Sequence, residues 1–107
     1  MNIETYRQER ENFKKFSAPL LELKQAGELQ SVNQGLMQIY RQHGHTTLKT
    51  WQQWKAEGKG IKNGQRPLYF WGSKTHKYHP DGTMTEFFPM IVLYSENQVF
   101  THKNKKQ

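Results

Sequence analysis

The stretch of sequence that decides the fold is Glu86-Phe-Phe-Pro-Met-Ile-Val-Leu-Tyr94. Its centre, Ile91-Val-Leu93, is too apolar for an exposed edge, and aromatic and β-branched residues favour extended backbone. Pro89 has no amide hydrogen to donate to a neighbouring strand, so it indicates a bulge or an edge position. We therefore expect this stretch to be the main strand of a sheet.

Two shorter extended runs precede this strand. Leu68-Tyr-Phe-Trp71 is rich in strand-forming residues, and the run from Lys74 to His79 is followed by Pro80-Asp-Gly82. The Asp-Gly pair suits the positive φ that tight hairpin turns require. These runs predict a small antiparallel sheet within residues 60–101.

The first half of the chain has helical periodicity instead. Residues 2–25 predict a helix that Gly27 ends, and Pro19 predicts a kink or break near Ser17, which would cap the second part. The expected inward side chains are Ile3, Tyr6, Phe13, Phe16, Leu20 and Leu23.

Two further helices are expected before the sheet. The second is predicted from about Ser31 to His43, with Val32, Leu36, Ile39 and Tyr40 inward and Gly44 as its C-terminal glycine. A third helix over roughly 47–57 would be capped by Thr46 or Thr47 and closed by Gly58.

Helices followed by an antiparallel sheet define an α+β fold. The 107 residues correspond to a single domain. We assign it to residues 1–101, with a helical part at 1–57 and a sheet part at 60–101. Residues 102–107 are predicted to be a disordered basic tail.

Composition excludes several classes of protein. No apolar run approaches the roughly 18 residues of a membrane helix, and the N-terminus lacks a signal-peptide pattern. The absence of Cys removes disulfides and thiolate sites. The sequence therefore predicts a cytoplasmic protein with no membrane partner.

The charge is unevenly distributed along the chain. Lys and Arg number 16 against 9 Asp and Glu, which gives a net charge of +7. Residues 1–40 are neutral, so residues 41–107 carry the entire excess, together with all three Trp. Cations interleaved with aromatic rings are typical of proteins that bind single-stranded nucleic acid. A basic surface that only aids solubility is the alternative.

The sequence shows little sign of a catalytic site or a metal site. It contains no HExxH and no P-loop motif, and no acidic cluster adjoins the histidines. We expect no enzymatic activity, no cofactor and no metal. The histidines that could supply metal ligands are His43, His45, His76, His79 and His102.

The densest motif lies between Thr46 and Lys62. Trp51 is expected to pack onto the sheet, whereas the position of Trp54 is left open between the core and a base-stacking surface. The loop from Glu57 to Arg66 combines glycines, whose backbone can approach a ligand closely, with cations that neutralise phosphates.

This motif and its surroundings resemble the N-terminal domain of the ArdC-type antirestriction proteins. The resemblance covers roughly residues 30–100. Its segments are Asn33-Gln-Gly-Leu36, Gly44-His45, Leu48-Lys-Thr-Trp-Gln-Gln-Trp-Lys-Ala-Glu-Gly58, Ile61-Lys-Asn-Gly64, the following apolar strand, and Phe88-Pro-Met-Ile-Val-Leu-Tyr-Ser-Glu-Asn-Gln-Val99.

The resemblance implies a single-stranded-DNA-binding module of plasmids, conjugative elements or phages. Asn63 and Gln65 depart from a basic and an acidic position of the family pattern. Family members often continue into a metallopeptidase-like domain, but no HExxH occurs here, so no protease activity is implied. The matching positions are Lys49, Trp51, Trp54, Gly58, Lys62 and Gly64.

Together these features predict a basic groove built from the Trp helix, the Gly/Lys loop and the strand around Tyr69 and Trp71. Alternation puts Tyr69 and Trp71 on one strand face, which we expect to face solvent. Phosphates would be neutralised by Lys49, Lys55, Lys59, Lys62, Arg66, Lys74 and Lys77. The candidates for base stacking are Trp54, Tyr69, Trp71 and Tyr78.

A competing interpretation is a small protein-interaction or inhibitor module of a mobile element that acts on an acidic host protein. A relative that lost a catalytic half fits either function. The sequence leaves open the choice between DNA and RNA, the strand preference, the site size, the biological pathway and the oligomeric state.

Overall fold

The computed structural model describes residues 2–102, which form an α+β fold, as predicted. The helices are α1 (Ile3–Gln25), α2 (Val32–Gln42) and α3 (Trp51–Ala56), and a 3-10 turn covers Glu96–Gln98. The strands are β1 (Leu48–Lys49), β2 (Lys59–Ile61), β3 (Leu68–Trp71), β4 (Thr75–Tyr78), β5 (Met84–Phe87), β6 (Met90–Ser95) and β7 (Val99–Thr101).

The strands form small antiparallel ribbons and one three-stranded sheet. The sheet has the strand order β1-β6-β3, and the pairs β2-β7 and β4-β5 are separate. None of the helices formed by residues 2–102 is both long and apolar enough to span a membrane.

The chain divides into two compact units, and neither is continuous in sequence. Unit 1 comprises the residues up to Leu36 together with Tyr69–Ile91, and unit 2 comprises Met37–Leu68 together with the residues from Val92 onward. Each unit therefore combines residues from the helical part and the sheet part of the sequence.

Helix α1 of unit 1 continues through Pro19, so the helix does not break near Ser17 and Ser17 does not cap a second helix. Ser17 is buried within the helix, and its hydroxyl donates a hydrogen bond of 2.8 Å to the carbonyl of Phe13. Pro19 costs the helix one backbone hydrogen bond, but Phe13 and Leu20 on either side of it are buried. Four of the six predicted inward residues are exposed instead: Ile3, Tyr6, Phe16 and Leu23.

The glycines predicted to end α1 and α2 do so. Gly27 and Gly44 have φ values of +81° and +88°, which residues with a Cβ rarely adopt. After α1, the amide of Glu28 donates to the carbonyl of Leu23 at 2.9 Å. After α2, His45 donates to Tyr40 at 3.0 Å in the same way. Both ends are Schellman motifs, which satisfy carbonyls that the helix leaves unpaired.

The predicted hairpin of unit 1 is present, but the long strand over 86–94 is not. Thr75 pairs with Phe87 and Tyr78 with Met84, so β5 belongs to the hairpin. Phe88 and Pro89 separate β5 from β6, because a proline amide cannot extend the ladder. The Pro89 carbonyl instead accepts a 2.7 Å hydrogen bond from Gly72. A Cβ at Gly72 would lie 2.8 Å from the Pro89 ring, so this approach requires glycine.

Unit 2 differs from the prediction before and after α3. Leu48 and Lys49 pair with Ser95 and Tyr94 as strand β1, so α3 begins later than expected. Thr50, rather than Thr46 or Thr47, caps it and forms a capping box with Gln53.

The predicted Gly/Lys loop after α3 is partly a strand. Lys59–Ile61 form β2 and pair with Val99–Thr101. Residues 103–107 of the predicted basic tail lie outside the described part of the chain.

Glu96 ties the segment before β1 to the 3-10 turn of unit 2. Its carboxylate accepts hydrogen bonds from the Thr46 hydroxyl, from the Thr46 amide at 3.1 Å and from the Thr47 amide at 2.9 Å. The bond from the Thr46 hydroxyl is the main reason that the pKa of Glu96 falls to about 2. The carboxylate form is therefore favoured in the folded state.

We expect Glu96→Gln to destabilise the protein by about 1 kcal/mol at pH 7, since hydrogen bonds to a charged acceptor are lost. The folded pKa lies below the unfolded one, so the contribution is complete above about pH 4.5 and declines as the pH falls toward 2. Urea unfolding at pH 7 and pH 2.5 measures this difference. Glu22→Gln, an exposed position on α1, is the control and should change neither value. An equal loss at both pH values would contradict the assigned role.

Candidate nucleic-acid interface

One of the two units carries the whole net charge, and the other is neutral. Unit 1 contains seven basic and seven acidic residues, whereas unit 2 contains nine basic residues and only Glu57 and Glu96 as acids. Six of these nine basic residues lie within the described part of the chain: Arg41, Lys49, Lys55, Lys59, Lys62 and Arg66. The +7 is therefore a property of one unit.

The two tryptophans of α3 lie in different environments. Trp54 is 4% exposed, and its indole N–H donates to the carbonyl of Tyr94 on β6 at 2.8 Å. Trp51, which we expected to be buried, is 47% exposed. A buried indole needs an acceptor for its N–H, and the β6 carbonyl provides one for Trp54. Trp54 is therefore a core residue, and the prediction that it stacks on bases is wrong.

The lysines of this region differ in how far their charges are compensated. Lys49 pairs with Glu57, and its ammonium lies 4.8 Å from the centre of the Trp54 ring. The Lys55 ammonium lies 5.0 Å from the centre of the exposed Trp51 ring. Lys55 has no acidic partner among residues 2–102. An aromatic face and an uncompensated cation thus lie side by side on α3.

The two lysines after α3 donate hydrogen bonds to neutral oxygens. The Lys59 ammonium donates to the Thr101 hydroxyl at 2.8 Å, and Lys62 donates to the Asn97 carbonyl at 3.2 Å. The backbone carbonyl of Arg66 accepts from the Gln98 side chain at 2.6 Å. Hydroxyls and carbonyls orient the lysines without cancelling their charge.

A pair of rings on β7 was not predicted from the sequence. Phe100 and His102 meet edge to face with ring centres 5.0 Å apart, and Phe100 is 43% exposed. Both rings lie against Gly60, where a Cβ would come within 2.9 Å of Phe100 and 2.8 Å of His102. The only sequence signal is the glycine opposite Phe100 in the β2-β7 register, and that register was not predicted.

The other predicted site residues belong to unit 1. The first of them, Tyr69, does not face solvent. It is 9% exposed, with its ring 5.6 Å from that of Phe13. Its neighbour Phe70 is also buried, so both faces of β3 are covered. The prediction that Tyr69 stacks on bases is therefore wrong. Trp71 is half-buried, with its indole N–H 3.1 Å from the Ser17 hydroxyl oxygen and its ring 4.6 Å from Phe13.

The remaining predicted residues of unit 1 belong to its exposed hairpin. The Lys74 ammonium lies 3.2 Å from the Glu86 carboxylate, so its charge is partly compensated. Lys77 and Tyr78 are exposed on β4, and Tyr78 is 77% exposed. The eleven predicted site residues are thus divided between a basic unit and a neutral one.

Comparisons with protein-family models, with curated protein sequences and with solved structures find no match to this chain. Within residues 2–102, no three His, Cys, Asp or Glu side chains are grouped as a metal site requires.

We expect the two tryptophans of α3 to differ sharply in their contribution to stability. Trp54→Ala should lower the free energy of unfolding by about 3–5 kcal/mol, because it leaves a cavity and an unpaired carbonyl. Trp51→Ala should lower it by less than about 1 kcal/mol, the size of an exposed cation–π contact. Urea unfolding followed by circular dichroism measures both values. Equal losses would mean that Trp51 is also a core residue.

Proposed function

We propose that this protein binds nucleic acid without catalysing a reaction, and that its main ligand is single-stranded DNA bound with little sequence preference. The interface lies on unit 2. Its phosphate-binding residues are Lys55, Lys59, Lys62 and Arg66, and its exposed rings are Trp51 and Phe100. The observation that carries the proposal is that the unit with the entire net charge also exposes these rings.

Phosphate neutralisation supplies the affinity in this mechanism. Lys59 and Lys62 are oriented by the Thr101 hydroxyl and the Asn97 carbonyl, so each keeps a full charge for a phosphate. Lys49 contributes less, because Glu57 already neutralises it. Contacts of this kind release counterions and carry no sequence information.

Base stacking supplies the preference for single strands. In a duplex the base faces are covered by their neighbours, whereas a single strand can place them against Trp51. Lys55 beside that ring would hold the adjacent phosphate. The Phe100 ring offers a second surface on β7.

The biological setting is part of the same proposal. The resemblance of residues 30–100 to the N-terminal domain of ArdC-type antirestriction proteins supports a role in a plasmid, conjugative element or phage. Of the matching positions, Lys49, Gly58, Lys62 and Gly64 lie in unit 2 with both tryptophans of α3. Such a role would place the protein in the cytoplasm.

The first test is a salt titration of binding to a fluorescent oligothymidine, with duplex DNA and RNA as competitors. Four phosphate contacts predict a slope of log affinity against log salt of about −3 for a single strand. Trp51→Ala should weaken binding by about 1–3 kcal/mol, or about 5- to 150-fold, with the slope unchanged. Lys62→Gln should instead reduce the slope by about 0.7.

Tyr78→Ala is the matched aromatic control, because Tyr78 is the most exposed ring of unit 1. It should leave affinity and slope unchanged. A loss equal to that of Trp51→Ala would contradict the placement of the interface on unit 2. Binding that vanishes at physiological salt without any strand preference would contradict the function itself and favour the protein-partner alternative.

A further inference from the structure

Unit 1 contains a groove that the proposed DNA interface does not use. It encloses about 470 Å³ beside α1, the first turn of α2 and the end of β3, a volume typical of sites for small ligands. Helix α1 lines it along one stripe: Arg10, Lys14, Ser17, Ala18, Leu21 and Lys24.

The Trp71 ring forms an apolar wall of the groove, and its neighbours fix it in position. Ser17 accepts the indole N–H of Trp71, and Phe13 packs against the ring from within the core. The Arg10 guanidinium lies 5.1 Å from the Trp71 ring centre and donates to the Phe88 carbonyl at 3.0 Å. These contacts hold the Trp71 ring in place before any ligand arrives, which lowers the entropy cost of binding.

The charge of the groove has a single sign. Among the described residues that line it are three cations and neither Asp nor Glu. Arg10 is already engaged with Trp71 and Phe88, and Lys14 lies 3.4 Å from Glu11 in an exposed pair. The Lys24 side chain has no ion-pair partner within residues 2–102.

The start of α2 adds a second attraction for an anion at this groove. Ser31, Val32 and Asn33 line it, and the Ser31 hydroxyl caps the amide of Gln34 at 3.1 Å. The preceding first-turn amides have no acceptor within the helix, and the helix dipole favours negative charge there. Lys24 and the N-terminus of α2 together suit one anionic group.

The groove is elongated along α1. The stripe from Arg10 to Lys24 spans about 21 Å at 1.5 Å per residue. A volume of about 470 Å³ along that stripe suits one extended small molecule. We propose that unit 1 binds a small amphipathic carboxylate, with its extended apolar chain along Ala18, Leu21, Trp71 and Phe88 and its carboxylate at Lys24.

The test is a titration of the ¹⁵N-labelled full chain with dodecanoate below its micellar concentration, followed by NMR. The Trp71 indole signal and the amides of Ser31–Asn33 should shift along one saturable curve. Ala18→Trp fills the groove from an exposed helix position and should weaken binding about tenfold or more. Lys24→Glu should weaken it about fivefold or more.

Lys15→Glu is the control, because it makes the same charge change on an exposed α1 position outside the groove. It should alter the affinity by less than about twofold. Ala18→Leu replaces Ala18→Trp if circular dichroism shows that the larger ring disturbs the helix, and it too should weaken binding. Equal binding of dodecyltrimethylammonium, or shifts confined to unit 2, would overturn the proposal. Unchanged affinity in both Ala18 variants would also overturn it.

Discussion

Each compact unit of this chain is organised around one indole whose N–H reaches a fixed oxygen. In unit 2 the Trp54 N–H meets the Tyr94 carbonyl, and in unit 1 the Trp71 N–H meets the Ser17 hydroxyl. A chain with only 34% apolar residues must obtain much of its core from large rings. Burying an indole is favourable only if its polar hydrogen is satisfied, so the partner oxygens fix where α3 and α1 can pack.

The backbone of Trp71 is held as firmly as its ring. The Asn33 side chain accepts from the Trp71 amide at 3.0 Å and donates to its carbonyl at 2.8 Å. One amide side chain on α2 thus replaces a neighbouring strand at the end of β3. The Ser17 hydroxyl makes two hydrogen bonds, because it donates to the Phe13 carbonyl and accepts from the Trp71 indole. The hydrogen bonds that satisfy the core of unit 1 therefore also fix the Trp71 wall of its groove.

Local sequence signals predicted the C-terminal ends of α1 and α2 and the hairpin turn correctly, but they predicted packing poorly. The glycines after α1 and α2, the hairpin turn at Asp81-Gly82 and the α+β class all follow from conformational preferences that act within a few residues. Which tryptophan of α3 is buried depends on a carbonyl 40 residues away. The same holds for Tyr69, whose burial depends on Phe13. The sequence alone shows that the excess positive charge lies within residues 41–107. Assigning that charge to one compact unit required the fold, because two hairpin lysines within this range belong to the other unit.

The borders between the units fall at residues 36/37, 68/69 and 91/92, inside α2, β3 and β6 respectively. No single cut of the chain leaves both units whole, so a single recombination event that exchanged one end of the gene would damage at least one of them. The neutral unit and the basic unit must be inherited together. Point substitutions can still change the surface of one unit and leave the surface of the other unaltered.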